Sequence, residues 1–212
     1  AGLGEGGGHG WLLAQQIVHG EACYDTWCID PRRFTAHANA ELTSLKAIED
    51  YQNEFRFHFP HEHRPAGRQA KTTSLTPVLT AENAEFTVIN GWERVEYIKP
   101  SADFQPSLSF HFDETFDIVA GEIKNVRDNV GLCEVNGFNR FEITGPDAYD
   151  FLDRLFCGFV TRKPGRVGLG YLLNDFGMVK SEATIANIPA SDRGENRIWY
   201  GSAAASEFHD MD

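Results

Sequence analysis

The stretch GRVGLGYLLNDFGMVKSEATIANI, residues 165–188, limits what this chain can fold into more than any other. It reads as strand, turn at Asn174–Gly177, strand, and Asn-Asp ahead of Gly makes Asp175 a turn residue. Along VKSEATIA the side chains alternate. Lys180, Glu182 and Thr184 share one face, opposite Val179, Ser181, Ala183 and Ile185. A hairpin with two unlike faces must bury one of them against another layer. The flanking sequence supplies candidates. NRFEIT (139–144) reads as a strand, Gly145-Pro146 as a turn, and a helix starting at Pro146 or Asp147 turns Tyr149, Leu152 and Phe156 inward. RIWYGSA (197–203) is a further strand, and the chain stops inside what reads as the next helix.

The rest of the chain has helical rather than alternating periodicity. Five of the first eight residues are Gly (Gly2, Gly4, Gly6, Gly7, Gly8) and read as a loop. WLLAQQIVH, Trp11–His19, is a short amphipathic helix stopped by Gly20. YDTWCIDPRRF is an irregular crossing. Residues 36–57 have helical spacing, with Leu42, Leu45, Ile48 and Tyr51 as a buried stripe. Two prolines and a glycine make 57–74 a loop. A short helix, a strand at Phe86–Ile89 and a turn at Asn90-Gly91 follow. Residues 99–113 look like a linker, and 114–132 return to helical spacing.

Composition removes several function classes. The 212 residues carry a formal charge of −12, the wrong sign for the basic footprint of nucleic-acid binding. No run approaches the roughly 18 apolar residues of a membrane span, and no signal or transit peptide is visible. Cys23, Cys28, Cys133 and Cys157 form neither CxxC pairs nor a dense framework, as in a reduced cytoplasmic or mitochondrial-matrix protein. The absent start methionine and the ending FHDMD suggest a fragment.

Few motifs carry chemistry by spacing alone. Gly2-x-Gly4-x-x-Gly7 has the dinucleotide-fingerprint spacing, but no strand precedes it and no β-branched run ending in an acid follows. His58, His61 and His63, with His37, invite a metal reading. Their HxxHxH spacing matches no coordination geometry and Pro60 interrupts it, so a loop with satisfied histidines and no metal is expected. No GxSxG nucleophile is present. Glu182 reads as a solvated strand residue, unless it lines a pocket, where burial would fit it for proton transfer.

Several segments together resemble the flavoprotein family of dimethylglycine dehydrogenase, sarcosine dehydrogenase and related methylamine-demethylating oxidoreductases. AGLGEGGGHGWLLAQQIVHGE with YDTWCIDPRRF looks like the last FAD-contacting loop and helix of their oxidase domain, with its D-x-x-R-F exit. The segment containing RPAGR, with NGWERVEYI after it, is similar to their middle segment. EIKNVRDNVGLCEVNGFNRFEITGPDAYDFLDRLF and GRVGLGYLLNDFGMVKSEATIA look like the start of the folate-binding aminomethyltransferase domain shared with the glycine-cleavage T-protein.

The resemblance implies an α+β chain in pieces. Residues 1–30 would be the tail of an FAD-binding α/β domain, 31–98 a small middle domain, 99–113 a linker, and 114–212 the first half of an aminomethyltransferase-type folate-binding domain. It implies FAD and tetrahydrofolate as cofactors and an N-methylated amine as substrate, with electron-transfer flavoprotein or oxygen as electron acceptor. FAD would take a hydride from the N-methyl carbon, and tetrahydrofolate would capture the iminium. Gly2, Gly7 and Gly8 match the family's flavin-side glycines, and Gly10 the helix-start glycine. Glu5 and His9 stand where small residues are commoner. Glu182 matches the hairpin-strand Asp near the folate, one methylene longer, as an orienting or acid–base carboxylate; Met178 replaces a turn glycine. The alternatives are a folate-dependent aminomethyl- or methyltransferase without oxidase activity, or a non-catalytic binding module of the same fold. The isolated fragment is expected to be inactive.

Overall fold

The computed structural model describes residues 2–189 and 196–211, in two compact units. One joins the residues up to Arg33 with those from Asn139 onward. The other is Phe34–Phe138.

The first unit is built on a five-stranded sheet. Its strands are β3 (Phe138–Thr144), β4 (Phe156–Cys157), β5 (Val167–Leu173), β6 (Val179–Ile188) and β7 (Arg197–Ala203), in the order β3-β7-β6-β5-β4. Strands β4 to β7 pair antiparallel along that order. The expected alternation holds, for Ser181, Ala183, Ile185 and Asn187 are buried while Glu182 is exposed. Helix α5 (Ala148–Leu155) covers the inner face, as its stripe requires. Tyr149, Leu152 and Phe156 are buried in one cluster with Ala183, Ile185, Ile198 and Tyr200. Gly170 makes this fit possible, because a Cβ there would run into the Phe156 ring. Tyr200 stands between Phe141 and Phe156, at centroid distances of 5.7 and 5.8 Å. Beyond β7 lies one 3₁₀ turn, Ala204–Ser206, in place of the expected helix.

The glycine run departs from its expected loop. Helix α1 spans Gly2–His19 as one element, although each glycine disfavours helix by about 1 kcal/mol relative to Ala. None of its residues is buried. Its C-terminus is tied back by Gln15, whose side-chain oxygen accepts the Cys23 N–H at 2.9 Å.

The second unit contains α2 (Ala40–Gln52), α3 (Thr76–Ala81), the hairpin β1 (Ala84–Ile89)–β2 (Trp92–Ile98) and α4 (Glu114–Asp128). Asn90 and Gly91, with φ of 49° and 83°, make the tight turn their sequence predicts. Asn39 caps α2 and Asp113 caps α4, each accepting a first-turn N–H. Residues 99–113 contain no helix or strand. The stripe expected on α2 is not buried: Leu45, Ile48 and Tyr51 are exposed. Glu49 is the buried residue of that helix, because its carboxylate accepts the Ala66 N–H at 2.7 Å and pairs with Lys46 at 3.1 Å. This unit is held largely by polar ties. Arg68 chelates the buried Glu93, and Asn136 donates to the Glu93 carbonyl at 2.7 Å.

Candidate functional site

Glu182 projects from the middle of β6 on the face that α5 leaves uncovered. Register places Tyr171 of β5 opposite it, Leu169 opposite Thr184 and Val167 opposite Ala186. On the other side Thr184 pairs with Gly201 and Ala186 with Trp199. The Trp199 ring lies over Gly201, where a Cβ would collide with it. The result is a shallow floor of aromatic, aliphatic and small residues with one carboxylate. Glu182's charge, and a hydrogen bond from the phenol, push the Tyr171 hydroxyl above the ordinary tyrosine range. Glu182 is exposed, so it is not the buried acid that lining a pocket would have made it.

The hairpin tip is organised by Asn174 more than by Asp175. The Asn174 side-chain oxygen accepts the N–H groups of Phe176 (3.0 Å) and Met178 (2.9 Å). Beside the tip, a cavity of about 150 Å³ is bounded by Asn174, Phe176, Lys180, Trp27 and His209, among others. The segment after α1 is thus anchored against the sheet in this unit. The Trp27 indole N–H donates to the Ala205 carbonyl, and its ring meets the His209 ring at a tilt of 57°, centroids 5.1 Å apart. Behind His209 the buried Asp210 carboxylate accepts the Tyr200 hydroxyl at 3.0 Å and faces His209 Nδ1 at 3.1 Å. Burial, then the charge of Asp210, pushes the Tyr200 phenol up to about 12.

Gly2, Gly7, Gly8 and Gly10 lie on α1, exposed, with nothing within 4 Å of where a Cβ would project. Among the described residues no side chain, that of Glu182 included, comes within that distance of them. In a helix the amides of Gly7, Gly8 and Gly10 bond to carbonyls four residues back, while first-turn amides remain free donors. The four histidines are partnered. His61 and His63 share Glu96, His58 Nε2 meets Arg64 Nη2 at 2.9 Å, and His37 Nδ1 meets Thr35 Oγ1 at 2.8 Å. Among the described residues no group of three His, Cys, Asp or Glu converges as a metal site. None of the described helices is long and apolar enough to cross a membrane.

Sequence reasoning missed Tyr171, Trp199 and His209. Strand register, which pairs Tyr171 with Glu182, was the signal for the first. It becomes legible only once the hairpin turn and the irregularity at Leu172/Leu173 are fixed.

Comparison with known proteins finds two family matches that follow one another along the sequence. Residues 19–73 match the FAD dependent oxidoreductase central domain, and residues 75–212 the GCVT N-terminal domain. The mitochondrial dimethylglycine dehydrogenase of Rattus norvegicus is 31% identical over 211 residues, 99% of this chain and 24% of that protein. The mitochondrial sarcosine dehydrogenase of Mus musculus is 27% identical over 216 residues, covering 89% of this chain and 23% of that protein. The mitochondrial pyruvate dehydrogenase phosphatase regulatory subunit of Mus musculus is 30% identical over 195 residues, 89% of this chain and 22% of that protein. The chain thus spans about a quarter of the length of these relatives. With a hairpin sheet under one helix and both matches in sequence order, the chain belongs to the GCVT N-terminal domain family, in the branch that carries an FAD dependent oxidoreductase central segment ahead of it.

Proposed function

We propose that this chain is part of a flavin-dependent oxidoreductase that oxidatively demethylates an N-methylated amine and passes the one-carbon unit to tetrahydrofolate. The observation that carries this reading is the fusion of an FAD oxidoreductase central segment to a GCVT N-terminal domain in one chain. Relatives named dimethylglycine and sarcosine dehydrogenase support it. A single chain favours this pairing because a reactive one-carbon intermediate is better protected from water when handed on internally.

The open face of the sheet suits a flat heterocycle. Trp199, lying over Gly201, and Tyr171 offer aromatic surface, Ala186 is small, and Glu182 would accept ring or amino N–H groups. Tetrahydrofolate would supply the nitrogen nucleophiles that take up the one-carbon unit. Glu182 would orient the ring and favour positive charge beside it. For FAD the fit is poorer, since α1 commits the amides of Gly7, Gly8 and Gly10 to its own helix. Gly2 and the other first-turn amides are the free donors, and no step is assigned to them.

Tetrahydrofolate titrated against the chain, with Trp fluorescence as readout, should give saturable quenching. Glu182→Gln should weaken it roughly ten- to a hundredfold, the range for losing one hydrogen bond to a charged group. Absence of saturable quenching would remove the folate assignment. Flavin absorbance bleached by an N-methylated amine in the longer protein tests the oxidase part. A second reading, a binding module without chemistry, is favoured by the relative named as a regulatory subunit. It predicts neither result.

A further inference from the structure

A second and larger cavity, of about 420 Å³, lies within the unit Phe34–Phe138. It is built on a break in strand register. Between β1 and β2, Glu85 pairs with Tyr97 and Phe86 with Val95, so Glu96 is an extra residue without a partner. A regular strand sends adjacent side chains to opposite faces. The bulge cancels that alternation, and both Glu96 and Tyr97 line the cavity.

Tyr97 is 4% exposed, and among the described residues its hydroxyl has no hydrogen-bond partner. Burial, and then the charges of Glu85, Glu96 and Asp113, push that phenol up to about 12, so it stays neutral. Those three carboxylates line the same cavity, which puts the hydroxyl end of the ring among them. Each is held in place. His61 Nδ1 (2.7 Å) and His63 Nε2 (2.6 Å) fix the two oxygens of Glu96, Lys99 Nζ lies 3.3 Å from Glu85, and Asp113 accepts the Thr115 N–H at 2.9 Å. A carboxylate has about four acceptor positions, so each retains capacity for a ligand. The guanidinium in the wall, Arg68, is tied to Glu93. The acids come from β1, β2 and the cap of α4, and they do not converge as a metal site. Dispersed negative charge around a roomy cavity suits an elongated cation better than a point ion.

We propose that this cavity binds an aliphatic diamine, with its ammonium groups on Glu85, Glu96 and Asp113 and one N–H donated to the Tyr97 hydroxyl oxygen. The site is independent of the flavin and folate readings. Isothermal titration of the chain with 1,4-diaminobutane should show saturable one-to-one binding, at least fivefold tighter than 1-aminobutane, with 1-butanol not binding. Tyr97→Phe and Glu85→Gln should each weaken the diamine about three- to tenfold, the range expected for one lost hydrogen bond. Asp113→Asn keeps the helix cap and should weaken it similarly. Absence of saturable binding, a smaller preference over the monoamine, or wild-type affinity in both Tyr97→Phe and Glu85→Gln would overturn the proposal.

Discussion

Replacing Arg68 by Met tests how far a buried carboxylate depends on its partner. Glu93 is 2% exposed and accepts from Arg68 Nε (3.0 Å), Arg68 Nη2 (2.5 Å) and the Gln69 N–H (2.5 Å). Burial alone would raise its pKa. The hydrogen bonds from Arg68 and Gln69, then the Arg68 charge, outweigh burial and hold it below the usual carboxylate range. Met preserves the apolar stem but leaves the charge with one N–H donor, an arrangement that costs about 3–5 kcal/mol. The pH dependence has a definite sign. In the parent protein Glu93 contributes stability above the ordinary carboxylate range, lost as pH falls through its depressed value. In the variant burial prevails and the pKa rises, so the contribution is present in acid and lost as pH rises. The difference between the two proteins should therefore be largest near pH 7 and shrink toward pH 4. Urea unfolding at pH 7.5 and 4.5, with amide exchange in β1 and β2 assigning the transition to this unit, measures it. Adding Glu93→Gln should restore much of the loss, because a neutral pair leaves no buried charge. A cost below about 1 kcal/mol at pH 7.5, or one that grows in acid, would refute the reasoning.

Three further outcomes follow from the other unit. Leu152→Ala removes a side chain that is 1% exposed beneath the sheet and should cost about 2–5 kcal/mol in urea unfolding. Gly170→Ala places a methyl against the Phe156 ring and should cost about 1–3 kcal/mol, with Phe156→Leu relieving part of it in the double variant. Glu182→Gln removes the charge that raises Tyr171, so the Tyr171 phenol should titrate at lower pH in an ultraviolet absorbance titration. An unchanged titration would mean the two side chains do not meet.

The readable parts of the fold are those where one element's own pattern decides its burial. The stripe of Tyr149 and Leu152 on α5, continued by Phe156 at the start of β4, and the alternation of β6 both place the core where it lies. Patterns failed where a distant group decided. Leu45, Ile48 and Tyr51 have the spacing of a buried stripe, yet the side chain of α2 that is buried is Glu49, drawn in by the Ala66 backbone. The glycine run argued for a loop by intrinsic preference, yet the structure continues α1 through it. For the candidate site, Glu182 and its face were legible from alternation. Its partner Tyr171 was not, because cross-strand neighbours depend on register, and register depends on turn geometry that Asn174 sets through two side-chain bonds. The bulge at Glu96 leaves no mark on a hydropathy pattern.

The carboxylate of Glu182 also separates a ligand-binding role from a structural one. It sits on a sheet face shared with Leu169 and Tyr171, and it is exposed, so it brings the fold no buried hydrogen bond. A β-branched neutral residue suits such a strand position better, by a few tenths to about 1 kcal/mol. A residue kept for its ligand is often suboptimal for stability. Glu182→Thr should therefore leave the urea midpoint unchanged or raise it, while weakening the fluorescence-detected binding of tetrahydrofolate at least as much as Glu182→Gln does. If instead the substitution destabilises the unit by more than about 1 kcal/mol, the carboxylate is a structural element of the sheet. Its position would then be no argument for a folate site.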